Sequence, residues 1–117
     1  QQGTYQPDSL FRWMPSLAVD VDGNMAIGYS VSSSTVYPAI RYAGRLATDA
    51  LGTLGQGEAT VIAGTGSQTN YTRWGDYSAM VLDPNGCTFW YTTEYYLTSG
   101  SNWQTRIASF QFPTCAP

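Results

Sequence analysis

One pattern is written twice in this chain, about 63 residues apart, and it constrains the fold more than any other feature. In the first copy Arg12-Trp13 precedes Ser16-Leu17-Ala18-Val19-Asp20-Val21-Asp22-Gly23-Asn24, an apolar run from Met25 to Tyr29, and then Ile40-Arg41-Tyr42-Ala43. The second copy reads Arg73-Trp74, Ser78-Ala79-Met80-Val81-Leu82-Asp83-Pro84-Asn85-Gly86, an apolar run from Thr88 to Tyr91, and Arg106-Ile107-Ala108. Self-similarity over tens of residues marks stacked supersecondary units, none of which can bury its apolar face alone. Two copies are too few to be self-sufficient, so the pattern itself calls for partners.

Each copy follows strand and turn grammar. Leu17 to Val19 reads as a short strand, Asp22-Gly23-Asn24 as a tight turn that needs positive φ, and Met25 to Val31 as the returning strand. Tyr37 to Ala43 makes a third strand with Pro38 at its start, and Thr60 to Ala63 a fourth. Between them the glycine-rich stretch 44 to 58 reads as a loop with room for one helical turn at Leu46 to Leu51. In the second copy the order is Tyr77 to Leu82, a turn at Asp83 to Gly86, Thr88 to Tyr95, a polar loop at Leu97 to Asn102, and Trp103 to Phe112. Pro84-Asn85-Gly86 is a strong turn signal because Pro presets the first corner and Asn-Gly accepts the left-handed one. The predicted organisation is an extended segment over 1–11, a first β repeat over 12–63 and a second over 64–117.

Four short antiparallel strands in about 60 residues is the size of one β-propeller blade. Pro15-Ser16-Leu17-Ala18-Val19-Asp20, Arg73-Trp74-Gly75-Asp76-Tyr77-Ser78 and Asp83-Pro84-Asn85-Gly86-Cys87-Thr88-Phe89-Trp90 resemble blades of secreted bacterial β-propellers related to the sialidase and Asp-box group. The resemblance covers most of 12–115 and implies an all-β chain of two four-stranded antiparallel blades, completed by association with other chains. A β-sandwich of seven or eight strands is the structural alternative.

The composition excludes several kinds of chemistry. There is no His, so no Ser-His or Cys-His pair and no His-ligated metal site can form. All five basic residues are Arg, and a net charge of -3 with a pI near 4.4 argues against a nucleic-acid or membrane-surface partner. Charged residues make up only 11%, so the 25 Ser and Thr residues must keep the surface wet. No apolar run reaches the ~20 residues that span a bilayer.

Cys87 and Cys115 read as a disulfide, the alternative being two buried thiols; two ligands without His cannot complete a zinc site. A disulfide implies an oxidising compartment, outside the cell or at its surface. Asn70-Tyr71-Thr72 matches the glycosylation sequon.

The candidate ligand-binding residues are Arg12, Trp13, Arg73, Trp74, Asp76 and Tyr77. An indole stacks on the apolar face of a sugar, and a guanidinium binds its hydroxyls or carboxylate in a bidentate way. The same residues also suit packing, with Trp between units and Arg paired to Asp76 or Asp20. Asp20-Val21-Asp22-Gly23-Asn24 has the alternating oxygens of part of a calcium loop, but no acidic residue completes it and a plain hairpin turn is expected. Sialidases use a Tyr activated by a Glu with an Arg cluster and an Asp acid/base. Glu94-Tyr95-Tyr96, Arg41, Arg106 and Asp76 are the residues that resemblance would recruit, yet Thr92 to Tyr96 alternates as any strand would. No residue is therefore assigned a catalytic role, and no cofactor or metal is expected.

Three functions fit this reading. The first is a secreted, self-associating module that binds carbohydrate or mediates surface adhesion, its open β edges paired with other copies of itself. The second is a structural subunit of an extracellular filament or sheath, formed when a head-to-tail contact fails to close. The third is the C-terminal part of a sialidase-like glycoside hydrolase.

Overall fold

The computed structural model describes residues 1–116. Seven strands form two antiparallel sheets, and no helix occurs among the described residues. The first sheet runs in chain order through β1 (Phe11–Val19), β2 (Met25–Ser32), β3 (Ala39–Arg45) and β4 (Glu58–Ile62). The second runs through β5 (Ala79–Leu82), β6 (Phe89–Tyr95) and β7 (Gln104–Phe110). The expected all-β class and most strand positions hold.

Three details differ from the sequence reading. β1 starts at Phe11, so Arg12 and Trp13 lie inside the strand rather than ahead of it. Pro15 hides this: the pairing shifts between Trp13 and Ser16, and Met14 takes a φ of 51°, so a bulge absorbs the residue that cannot donate to the ladder. The stretch at Leu46 to Leu51 makes hydrogen-bonded turns instead of a helical turn, with Asp49 N–H donating to Leu46 O. The second sheet has three strands, not four. After Phe110 the chain reaches Pro113, turns back with Cys115 N–H donating to Phe112 O, and is tied by Cys115 to Cys87.

That disulfide spans 28 residues with its Cα atoms 5.7 Å apart and anchors the tail beside the β5–β6 hairpin. Closing a loop of this size contributes about 3 kcal/mol in the chain-entropy model. We expect the Cys87→Ser chain to lose that amount against the oxidised protein and nothing against the reduced one. An equal loss under reducing conditions would mean that thiol packing, not the cross-link, stabilises this end.

The repeat is realised at the two hairpins, the second one residue longer than the first. Asp20 N–H donates to Asn24 O and Gly23 N–H to Asp20 O; in the second unit Asp83 N–H donates to Thr88 O and Gly86 N–H to Asp83 O. Gly23 and Gly86 both adopt the left-handed φ these turns require, at 83° and 80°.

The two sheets pack face to face, and residue size sets how closely. β2 presents Ala26, Gly28 and Ser30 to the second sheet, while β6 answers with Phe89, Tyr91 and Tyr95. A Cβ on Gly28 would lie 2.5 Å from the Tyr91 ring, so that ring occupies the space a side chain would need. Farther out Tyr42 stacks on Phe110 at 3.9 Å between ring centroids. The buried cluster of Ala26, Ile40, Met80, Phe89, Tyr91 and Tyr95 therefore draws on both repeats.

Candidate functional site

The two Arg-Trp pairs, equivalent in the sequence, have unequal surroundings. Arg12 carries five N–H groups, and all five are used. Nε and Nη2 donate to Glu58 at 2.9 and 3.1 Å, Nη1 and Nη2 donate to Asp8 at 2.8 and 3.1 Å, and Nη1 also donates to Leu10 O at 3.1 Å. The rings of Tyr5 and Tyr29 lie 5.8 Å from the same guanidinium. Arg41 donates to Glu58 at 2.7 Å, and the Tyr29 hydroxyl donates to its other oxygen. Burial pushes the Glu58 carboxyl up, but the hydrogen bonds from Arg12, Tyr29 and Arg41 outweigh it and hold its pKa below the ordinary value. Hydrogen bonds from Arg12 and from Leu10 N–H bring Asp8 down to about 2. Arg12 pairs with Asp8 and Glu58 rather than with Asp20, and has no donor left for a ligand.

Arg73 is the opposite case. Its side chain is 82% exposed and is paired only with Asp76. With Trp74, Tyr77 and Glu94 these residues line a cleft of about 430 Å3 between the loop 68–77 and the outer side of β6 and β7. Tyr71 and Trp103 add further aromatic wall. Tyr77 is 93% exposed, Tyr71 62% and Trp103 58%, which leaves three flat apolar surfaces free to be covered. Four of the six residues singled out in the sequence, Arg73, Trp74, Asp76 and Tyr77, thus share one cleft. Arg12 and Trp13 line a second cleft, of about 410 Å3, on the outer face of the first sheet.

Trp74 also has a packing role. Its indole N–H donates to Ser30 Oγ at 3.0 Å, and its ring meets Trp13 edge-on at 5.8 Å and Tyr96 at 5.5 Å. Trp13 and Trp74 therefore touch one another across the junction of the two units.

Glu94 is the β6 carboxylate that lines the cleft, and sequence reasoning noticed it only as part of a Glu-Tyr-Tyr string. Burial raises its pKa, a neighbouring Gly75 N–H offsets part of the rise, and the Asp76 charge adds to it. Its Oε1 is enclosed without a hydrogen-bond partner. The alternation of β6 sets Glu94 on the outer face and Tyr95 on the inner, buried one. Tyr96 is buried as well, donates its hydroxyl to Gln68 at 2.9 Å, and is raised in pKa by burial, by Glu94 and by Tyr71. A tyrosine held in its neutral form is a poor nucleophile. Arg41 and Arg106 do hold matching places in the two sheets, but Arg41 is bound to Glu58 and Arg106 stands exposed on β7.

The Asp20 loop is a hairpin turn. Asp20 Oδ1 accepts from Asp22 N–H and Asn24 N–H, and Oδ2 accepts from the Asn24 side chain at 2.9 Å. Asn70 sits on an exposed loop at a φ of 69°, a conformation that Asn tolerates.

What fold and cleft define together is a class: a disulfide-linked all-β protein of two antiparallel sheets with an aromatic, acidic cleft at the rim of the second. Comparison with family models, curated proteins and solved structures yields no match.

Proposed function

We propose that this chain is a self-associating module of an extracellular surface assembly, built as two consecutive propeller-type units. The observation that carries this reading is the sense in which the units pack. Equivalent places in the repeat lie beside one another at both ends of the junction. Trp13 meets Trp74 at one end, and Val21 N–H donates to Gly86 O at the other, joining the two hairpins. Between them Met80 N–H donates to Ser16 Oγ at 2.8 Å and Ser78 Oγ to Met14 O at 3.1 Å. The chain returns from the far edge of the first meander to bring β5 beside β1, as consecutive blades do. Units related in this way can be added without limit or until a ring closes. The disulfide suits an oxidising location outside the cell.

Sedimentation velocity across a concentration series tests the reading. The mass should climb above the 12.8 kDa of one chain as concentration rises. A single 12.8 kDa species at every concentration would overturn it.

Carbohydrate is a second reading, favoured by the makeup of the cleft: exposed Tyr77 and Trp103 beside the Arg73–Asp76 pair offer stacking surfaces next to hydrogen-bonding groups. On this reading a glycan panel gives hits that Tyr77→Ala and Trp103→Ala each weaken tenfold or more without changing thermal stability. Hits that survive both changes would place the sugar elsewhere.

A further inference from the structure

We propose that the space enclosed on the outer face of the first sheet is a binding site for a carboxylic acid with an apolar chain, and that Arg45 takes its carboxylate. This goes beyond the self-association proposed above and does not depend on it.

Arg45 is the group that calls for a ligand. It is the last residue of β3, lies directly across from Met25 on β2, and lines the cavity. The residue is 5% exposed, yet its one hydrogen bond is from Nη2 to Asp49 O at 2.6 Å, and its Nε is enclosed without a partner. The ion pairs among the described residues belong to Arg12, Arg41 and Arg73, and none reaches Arg45. The Asp49 carboxylate, close by in the chain, accepts from Leu46 N–H and from the Gln56 side chain instead. A buried charge without a counter-ion is costly, and the guanidinium fork fits a carboxylate. Arg12 lines the same cavity but is saturated by Asp8, Glu58 and Leu10 O. The anion therefore belongs at Arg45.

The rest of the cavity is apolar. Its volume of about 410 Å3 falls within the roughly 300–1,000 Å3 of small-molecule sites. Leu17 and Ile27, a cross-strand pair, share this face with Met25, and Leu54 reaches it from the loop that follows β3. Tyr29 stands two residues beyond Ile27, so the floor runs about 13 Å from Met25 to Tyr29, enough for a chain of medium length. The roof is the chain's own first residues. A Cβ on Gly3 would lie 2.1 Å from Gly52 O, so this segment and the loop cross in backbone contact. Gly52 N–H donates to the Gln1 side chain at 2.8 Å, and the Tyr5 ring packs 6.4 Å from that of Tyr29. Leu17, 48% exposed on the edge strand, leaves the space open to solvent on that side. A roofed apolar trough with a bare cation at one end selects an anionic head on an apolar body. A sugar would lack the charge, and a small inorganic anion would leave the trough empty.

Titration calorimetry of the wild-type chain with octanoate, octanol and acetate, each in true solution, tests the assignment. Octanoate should bind, octanol should bind at least tenfold more weakly because Arg45 stays unpaired, and acetate should not bind. Arg45→Met keeps an apolar stem and drops the cation, so the acid should fall to the affinity of the alcohol while the alcohol is unchanged. Leu17→Glu sets a carboxylate at the half-exposed mouth and should abolish octanoate binding without changing the melting temperature, which decides the matter even if Arg45→Met does not fold. Equal affinity for acid and alcohol in the wild-type chain, an acid preference that survives in Arg45→Met, octanoate binding that survives in Leu17→Glu, or no binding of octanoate at all overturns the proposal.

Discussion

Replacing Trp74 with Ala should cost about 3 kcal/mol, the low end for truncating a packed tryptophan, and lower the melting temperature by about 10 °C in a chain of this size. Three losses combine. The edge-on contact with Trp13 goes, so does the contact with Tyr96, and the Ser30 hydroxyl, fully buried, loses the N–H it accepts from. Leaving a buried polar group unsatisfied costs as much as the packing lost around it. Tyr77→Ala, three residues on in the same loop, is the control: this ring is 93% exposed and its removal should leave stability unchanged. Thermal melts of the two variants decide the matter, and a Trp74→Ala chain as stable as the wild type would show that Trp74 does not join the units.

Replacing Glu58 with Ala should be comparably damaging, again about 3 kcal/mol, because it strands Arg41 and leaves Arg12 with Asp8 and Leu10 O alone. The side chains of Arg12 and Arg41 are only 9% and 22% exposed, and Glu58 itself 14%. The same site shapes the acid limb of stability. Because the folded-state pKa of Glu58 is lowered, the unfolded chain takes up its proton first as the pH falls. The contribution is complete above the ordinary value of 4.5 and is lost as pH falls through the lower folded-state value. Glu94 works in the reverse sense: burial raises its pKa, so its contribution is complete below 4.5 and is lost as pH rises through the raised value. Glu58→Gln should therefore flatten the acid side of a stability-against-pH curve, and Glu94→Gln should remove a loss that sets in as pH rises above 4.5. Denaturant titrations from pH 3 to 7 would separate them; a Glu58→Gln curve as steep as the wild type below pH 4.5 would contradict the assignment.

The parts of the fold legible in the sequence are those governed by local backbone demands. Asp22-Gly23-Asn24 and Pro84-Asn85-Gly86 mark turns because few other residues supply the required φ, and both hairpins form there. β1 was harder to read because Pro15 resembles a strand boundary and only the bulge at Met14 reconciles it with a nine-residue strand. A fourth strand in the second unit was plausible by repetition. Pro113 and the Cys115 cross-link end the pairing instead, and nothing in the spacing of the repeat shows it.

For the candidate site, the sequence marks the loop residues Arg73 to Tyr77 and structure assembles them into a cleft. It cannot reveal that Arg12 is consumed, because its partner Glu58 is 46 residues away and on another strand. A signal does exist in the alternation. Tyr29 and Arg41 pair directly across β2 and β3, and Glu58 lies opposite Ala43, so all three side chains share one face once register is known. The place of Glu94 in the cleft is similarly hidden until the alternation of β6 sets it on the outer face.

The most direct measurement is hydroxyl-radical footprinting of the wild-type chain at low and high concentration, read at Tyr77, Trp90, Trp103 and Ile107. The account predicts that exposed apolar residues among these lose reactivity as concentration rises, because self-association covers apolar surface. Reactivity that stays constant at all four residues across the series would contradict the claim that this chain is a unit built to be covered by its own kind.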